Sequence, residues 1–370
     1  MFCALMRRCL IQLERHAIKS FGVWMNSEMA PIVTDHEYQA AIENAQARAK
    51  AFWPRIASDL GLAAEGARFR QLLVNSRYQH VRSVQEVTTA TGQRYVLRAV
   101  FDDTTAARQI RVLDRHQQAA LDLQSVCGVS SPDVLWRDQD SAVVLMDFVQ
   151  GESAYRELAM TEYGFGDRAE VLRRIGCAVA ELHRVSDAGD MQFWPKPFLK
   201  QISARAETVR AGKFQVLKPK RYLGLCALLH REARRARKQT FRGALEHGDL
   251  HLRNILMCDS EVSFIDYSNH DGIFPQRDIA DIWLSNCPDH LAAEGRTPGF
   301  GGVARADWAA FEEGYGAELT TDPIFRFFFT WRLFKLWSAL GRKRSEPRQR
   351  TQDVAAAAEH VLEQLLAAEG

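Results

Sequence analysis

Apolar residues first recur at helical spacing in residues 35–60, where Tyr38, Ala41, Ile42 and Ala45 share a stripe and Trp53-Pro54 interrupts late. Gly61 to Gly66 break that pattern. Three short runs rich in β-branched and aromatic residues follow, at Phe69–Val74, Val81–Thr89 and Tyr95–Phe101. Thr91-Gly92 is a turn signal, so the second and third runs are predicted to pair as a hairpin. Arg108 to Val126 returns to helical spacing, with Ile110, Leu113 and Leu121 on one side. Val134–Trp136 and Ala142–Phe148 read as two further strands around the polar turn Asp138–Ser141. Beyond Glu152 the pattern is predicted to stay helical. Leu172, Ile175, Val179 and Leu182 form one apolar face ending at His183. Phe325 to Leu340 is so aromatic that a buried helix is expected, the alternative being a lipid-facing or substrate-facing patch. Asp353 to Leu366 reads as an amphipathic helix.

Composition narrows the classes. The chain has 370 residues, enough for two cores, and its 46% apolar content excludes wholesale disorder. A net charge of +2 argues against a nucleic-acid-binding polycation. The charge is uneven, because residues 205–242 hold twelve Lys/Arg and only two acids, Glu207 and Glu232. A second basic run spans Arg342 to Arg350. Both readings stay open: solvated helix faces, or a surface for a phosphorylated or membrane-bound partner. The seven cysteines form no CxxC pair, which favours a reducing compartment and a cytoplasmic protein over a disulfide framework or zinc site. No apolar run is long enough for a membrane span, while peripheral membrane contact stays open. Met1 to Met25 fits a secretory signal poorly, and a start codon placed too far upstream is the alternative.

The chemistry concentrates in His247-Gly248-Asp249-Leu250-His251-Leu252-Arg253-Asn254, followed by Phe264-Ile265-Asp266. Phosphoryl transfer needs metal to neutralise phosphate charge, a carboxylate to orient the attacking hydroxyl, and a cation for the remaining phosphates. Asp249 is the candidate hydroxyl-orienting base. Asn254 and Asp266 are candidate Mg2+ ligands, since a hard cation takes few protein oxygens and completes its shell with phosphate and water. Asp266 ends the apolar run begun at Val262, and Cys258-Asp259-Ser260 supplies a hairpin turn, so three side chains can converge from two strands and a loop. His247 and His251 stand four apart, but Gly248 occupies the glutamate position of HExxH, so packing and hydrogen bonding are preferred over metal.

HGDLHLRN at 247–254, IDY at 265–267 and DIA at 278–280 resemble the signature of the aminoglycoside phosphotransferase and choline kinase family. The likeness runs in order over residues 66–340 and includes Ala180–His183 and the strand-and-hinge segment Val144–Glu152. It implies an α+β, protein-kinase-like two-lobe fold, with a small antiparallel-sheet N-lobe and a mostly helical C-lobe. The domains expected are a helical N-terminal extension (1–60), a nucleotide-binding N-lobe (61–150) and a C-lobe with catalytic loop and acceptor site (151–370). It further implies ATP as cosubstrate, adenine against the hinge at Met146, Phe148 and Val149, and Asp278 as a buried support of the catalytic loop.

The pattern departs from the family in the small lobe. The third strand offers Arg98 where a phosphate-gripping Lys is expected, and Arg is longer and planar. His116, Gln117 and Gln118 stand where the partner Glu is expected, and residues 75–80 form no glycine-rich loop. The resulting expectation is an ATP-dependent phosphotransferase acting on a hydroxyl of a small molecule or glycan. The basic segment favours an anionic acceptor: a phosphorylated sugar, an acidic metabolite or a lipopolysaccharide core. The alternative is a pseudokinase-like binding or regulatory protein. A protein kinase is disfavoured because no Ala-Pro-Glu follows Asp266. The sequence sets no oligomeric state.

Overall fold

The structure, a computed structural model, describes residues 35–77, 80–101, 106–268, 271–285, 287–293, 295–340 and 349–368. The N-terminal stretch 1–34, the core of the basic run at 341–348, and Tyr78-Gln79 between the first two strands lie outside the described residues. The chain order is α1 (Asp35–Lys50), α2 (Trp53–Asp59), β1 (Arg68–Arg77), β2 (His80–Thr88), β3 (Arg94–Phe101) and α3 (Ala106–Leu123). Then come β4 (Val129–Ser130), β5 (Val134–Arg137), β6 (Ala142–Asp147), β7 (Glu152–Ser153), α4 (Ala154–Thr161), α5 (Arg168–Val185) and β8 (Asp187–Gln192). The remainder is α6 (Lys196–Arg210), α7 (Pro219–Ala236), β9 (Thr240–Ala244), β10 (Ile255–Cys258), β11 (Glu261–Phe264) and α8 (Pro275–Leu284). It closes with α9 (Cys287–His290), α10 (Arg305–Tyr315), α11 (Pro323–Leu340) and α12 (Gln349–Ala367).

The chain divides into two units, residues 1–107 with 135–147, and residues 108–134 with 148–370. In the first, five strands hydrogen-bond in the order β1-β2-β3-β6-β5. β2 and β3 form the hairpin that Thr91-Gly92 predicts, with Arg98 opposite Val84. Strand side chains alternate between faces. Leu97 and Ala99 on β3, with Val143 and Leu145 on β6, therefore share one face, and Trp53, Ile56 and Ala57 of α2 close over it. The segment read from sequence as an extension thus contributes to the core of this unit. Arg98 and Val144, cross-strand partners, occupy the opposite face, and both are buried.

In the second unit, Phe325, Phe327, Phe328 and Phe329 of α11 are all buried, as their aromatic density requires. Phe327 and Phe328 pack with Phe193 and Phe198, and Phe328 meets Phe274 at 4.9 Å between ring centres. α5 and α10 cross closely because Gly176 and Gly314 bring no side chain. A Cβ on Gly314 would lie 2.0 Å from the Arg173 carbonyl oxygen, and one on Gly176 2.3 Å from that of Phe311. The hairpin expected at Cys258–Ser260 is present as β10 and β11, while the helical reading after Glu152 misses β7, β8 and β9, which with β4 complete two small sheets. One runs β4-β11-β10-β7 and the other pairs β8 with β9. Their strands of two to six residues are too short to register as a period-two pattern.

Candidate active site

Site building starts at α5. The Asp167 side chain caps its N-terminus through Ala169 N, 2.9 Å away, and Leu172, Ile175, Val179 and Leu182 bury the apolar face. That places His183 in the last turn. His183 Nε2 donates to Asp278 Oδ2 at 3.3 Å, and the Tyr315 hydroxyl, at the end of α10, meets Nδ1 at 3.1 Å. The Gly176–Gly314 crossing fixes the distance between these two helices.

Asp278 is fully buried in α8. Besides His183, its carboxylate accepts the backbone N–H of His247 at 2.7 Å and that of Gly248 at 2.9 Å. Burial opposes its ionisation, but the His183 hydrogen bond and these loop N–H groups hold its pKa below the ordinary value. Gly248 has φ +85°, a conformation open to glycine. His247, one residue earlier, donates from Nε2 to the Ile265 carbonyl at 2.9 Å, and its Nδ1 accepts the Asp249 N–H at 3.4 Å. Burial depresses its pKa to about 4, so the ring is neutral and holds this one tautomer. Tyr267 stacks on it at 4.2 Å and donates its hydroxyl to Ser131 Oγ at 2.7 Å, which donates to Phe264 O at 3.0 Å.

Asp249 emerges from this frame with 51% of its side chain exposed. The Asn254 amide donates Nδ2 to the Asp249 carbonyl at 2.9 Å. That leaves its Oδ1, the oxygen a metal would use, directed by a fixed NH2. The antiparallel pairing of β10 with β11 extends one step further, since Ile265 N donates to Asn254 O at 3.0 Å. Asn254 and Ile265 are therefore cross-strand neighbours, and Asp266 follows at once. Asp266 takes φ +64°, a left-handed conformation rare for a non-glycine residue and common where a site re-aims a side chain. One amide oxygen and one carboxylate fit Mg2+, which completes its shell with phosphate and water. Among the described residues no cluster of three His, Cys, Asp or Glu offers a metal cage. His247 and His251 act as packing and hydrogen-bonding groups: His251 Nδ1 accepts the Arg253 N–H at 3.3 Å.

The remaining sequence candidates fall in the strands and their continuation. Arg98 lies mid-β3 and Met146 near the end of β6, both in the first unit. Phe148 and Val149 begin the second unit's stretch after β6 and are half-buried. Where the partner Glu is expected, His116 is buried and its Nε2 donates to the Pro132 carbonyl at 2.8 Å. Three supports escaped the sequence reading. Arg115 Nη2 donates to Leu245 O at 3.0 Å, fixing the loop's approach. Glu246 accepts Phe274 N at 2.9 Å and pairs with Arg277, tying the loop to the start of α8. Arg332 of α11 pairs with Asp281 of α8. No local pattern marks these residues, because each acts across 28 positions or more. Of the basic residues in 205–242, Lys218 and Arg221 pair with Glu359 of α12, Arg235 with Glu232 and Arg242 with Asp187. Those four act within the fold.

A family model described as the phosphotransferase enzyme family matches residues 79–316. No curated protein sequence matches the chain. Among solved structures, an amicoumacin kinase in complex with AMP-PNP, Ca2+ and its ligand is similar at TM-score 0.56 and 15% identity, over 89% of this chain and 96% of that one. A choline/ethanolamine kinase family protein from Mesorhizobium loti matches at TM-score 0.54 and 14% identity, over 87% and 99%. A thermostable aminoglycoside phosphotransferase mutant matches at TM-score 0.51 and 16% identity, over 86% and 99%. The fold is therefore kinase-like and α+β, with an antiparallel sheet unit and a mostly helical remainder.

Proposed function

Because the chain belongs to the phosphotransferase enzyme family, we propose that it transfers the γ-phosphoryl group of ATP to a hydroxyl of a small-molecule or glycan acceptor. The observation that carries this reading is the frame in which Asp278 clamps the loop N–H groups while Asn254 ties the loop to β10. In this reading Asp249 orients the acceptor hydroxyl and takes its proton. The hydroxyl oxygen bonds to the γ-phosphorus, the bond to the β–γ bridging oxygen breaks, and ADP leaves. Asn254 and Asp266 would hold Mg2+, which supplies charge neutralisation on the phosphates. Arg98 is assigned to the phosphates, and Met146, Phe148 and Val149 to the adenine. An anionic acceptor and a cytoplasmic location, where ATP and Mg2+ are abundant, belong to the same reading. No described helix is long and apolar enough to cross a membrane.

Arg98 in place of Lys motivates a second reading, a pseudokinase that binds but does not transfer. Calorimetric titration with ATP, with and without Mg2+, separates the parts of the proposal. The kinase reading expects Mg2+-dependent binding that Asp266→Asn weakens by about tenfold or more, by loss of a charged ligand. Binding that ignores Mg2+ and Asp266 sinks the metal assignment. Binding without acceptor-dependent ADP release across a broad panel favours the pseudokinase.

A further inference from the structure

We propose that Arg332, steered by Asp281 and Ser285, is the specificity-determining cation of the acceptor site. It would select acceptors that carry a carboxylate or phosphate beside the hydroxyl to be phosphorylated. The inference rests on the reading of Asp249 as the hydroxyl-orienting base, and it names an anchor for the acceptor that the basic segment 205–242 does not.

The placement follows from α8. Asp278 takes the N–H groups of His247 and Gly248. Asp281 stands one turn on, about 4.5 Å further along the axis. It is thus carried by the same helix that holds the loop's backbone. The Asp249 charge is felt at Asp281, and the charges of Asp281 and Arg332 are both felt at His251. His251 Nε2 lies 3.9 Å from Asp249 Oδ2. From the facing helix α11, Arg332 donates Nε to Asp281 Oδ1 and Nη2 to Ser285 Oγ, the latter at 3.1 Å. Its third nitrogen, Nη1, has no hydrogen-bond partner among the described residues. The Arg332 and Asp281 side chains keep 25% and 19% exposure, so the pair is partly accessible from solvent.

This arrangement has a chemical consequence. A guanidinium is planar, so two fixed contacts orient the whole fork and leave a preorganised donor edge. The charge of Asp281 is neutralised in the same stroke. Were Arg332 absent, Asp281 would add an unpaired carboxylate within reach of the Asp249 charge, a pattern that attracts an amine. With it present, a cationic acceptor meets a paired acid and an anionic acceptor meets an oriented donor. A pair serving only to join α8 to α11 would have no effect on which acceptor is chosen.

The test uses the full chain and matched hydroxyl probes: glucuronate and glucose 6-phosphate (anionic), glucose (neutral), glucosamine and kanamycin (cationic). ADP release and product mass give kcat and KM for each. Wild type is expected to favour the anionic over the cationic probes in kcat/KM by about tenfold or more, and Arg332→Met to reverse that order, chiefly through KM. Arg332→Lys should recover part of the anionic preference. Ser285→Ala removes one steering contact only. It should raise KM for the anionic probes several-fold while leaving KM for glucose in place, which keeps the test open even if Arg332→Met does not fold. A wild type that prefers amines, no turnover of any anionic probe by ATP-bound enzyme, or an equal Ser285→Ala change for glucuronate and glucose overturns the inference. Those results leave the kinase reading standing if other probes are phosphorylated. If Asp249→Asn equals wild type on every probe, the kinase reading fails and takes the inference with it.

Discussion

Replacing Asp278 by Asn changes one oxygen to an NH2 and removes a charge, with almost no change in shape. The carboxylate now accepts three donors, His247 N, Gly248 N and His183 Nε2, and it is fully buried. An amide oxygen can still accept, but the new NH2 must face at least one N–H. A lost charge-assisted hydrogen bond is worth about 1.5–3 kcal/mol, and a buried donor left unsatisfied costs about 1–3 kcal/mol more. The sum is about 2.5–6 kcal/mol, a large share of an ordinary folding free energy. The loop should also lose its register, so kcat should fall further than KM rises. Urea unfolding followed by the fluorescence of Trp283 and Trp308, beside steady-state ADP release, reads both effects. The Asp278 contribution is present above the ordinary carboxylate pKa of 3.8 and lost as pH falls through the depressed folded value. Hence the gap between wild type and variant should close in acid. A double-mutant cycle with His183→Gln should be non-additive, because the two side chains share a hydrogen bond. An Asp278→Asn protein with wild-type midpoint and wild-type kcat would refute the claim that this carboxylate holds the loop.

Three further outcomes follow from the fold. His290 is buried with neither ring nitrogen hydrogen-bonded among the described residues, and burial depresses its pKa to about 4 from 6.5. The unfolded chain therefore binds the proton first, and stability should fall by up to about 3 kcal/mol as pH drops from 6.5 towards 4. His290→Leu should flatten that slope in melts across pH 4–8, and an unchanged slope counts against it. Gly314→Ala forces α10 away from α5 and should cost about 2–3 kcal/mol, with kcat falling as Tyr315 leaves His183; unchanged melting and activity would contradict the crossing. Burial pushes the Cys226 and Cys287 thiols to about 12, so both should resist alkylation at pH 8 until the protein unfolds, with labelling read by mass spectrometry.

The strands around Arg98 were legible because Val, Tyr and Leu alternate with a clear hairpin turn between β2 and β3. The loop was legible because His247 to Asn254 compresses its chemistry into eight positions. In the second unit the hairpin around Cys258–Ser260 was legible from its turn, but the strands that join it were not, since strands such as Val129–Ser130 have too few residues to show a period. The braces of the site were hidden for a different reason. Arg115 reaches Leu245 across 130 positions, and Arg332 reaches Asp281 across 51. Charge counting left two readings open for residues 205–242; for Lys218 and Arg221 the partners are acids of α12 that no local window contains.

The central claim is that Asp249 orients an acceptor hydroxyl within a loop built for that purpose. Its most direct test is the rate of acceptor-dependent ADP formation by wild type and Asp249→Asn at saturating Mg2+-ATP. The substitution leaves the backbone contacts of the loop in place, so ATP affinity and melting temperature should stay near wild type. The account predicts a kcat lower by about 10²–10⁴-fold, the usual contribution of a positioned general base. Equal rates in two equally folded proteins would contradict it.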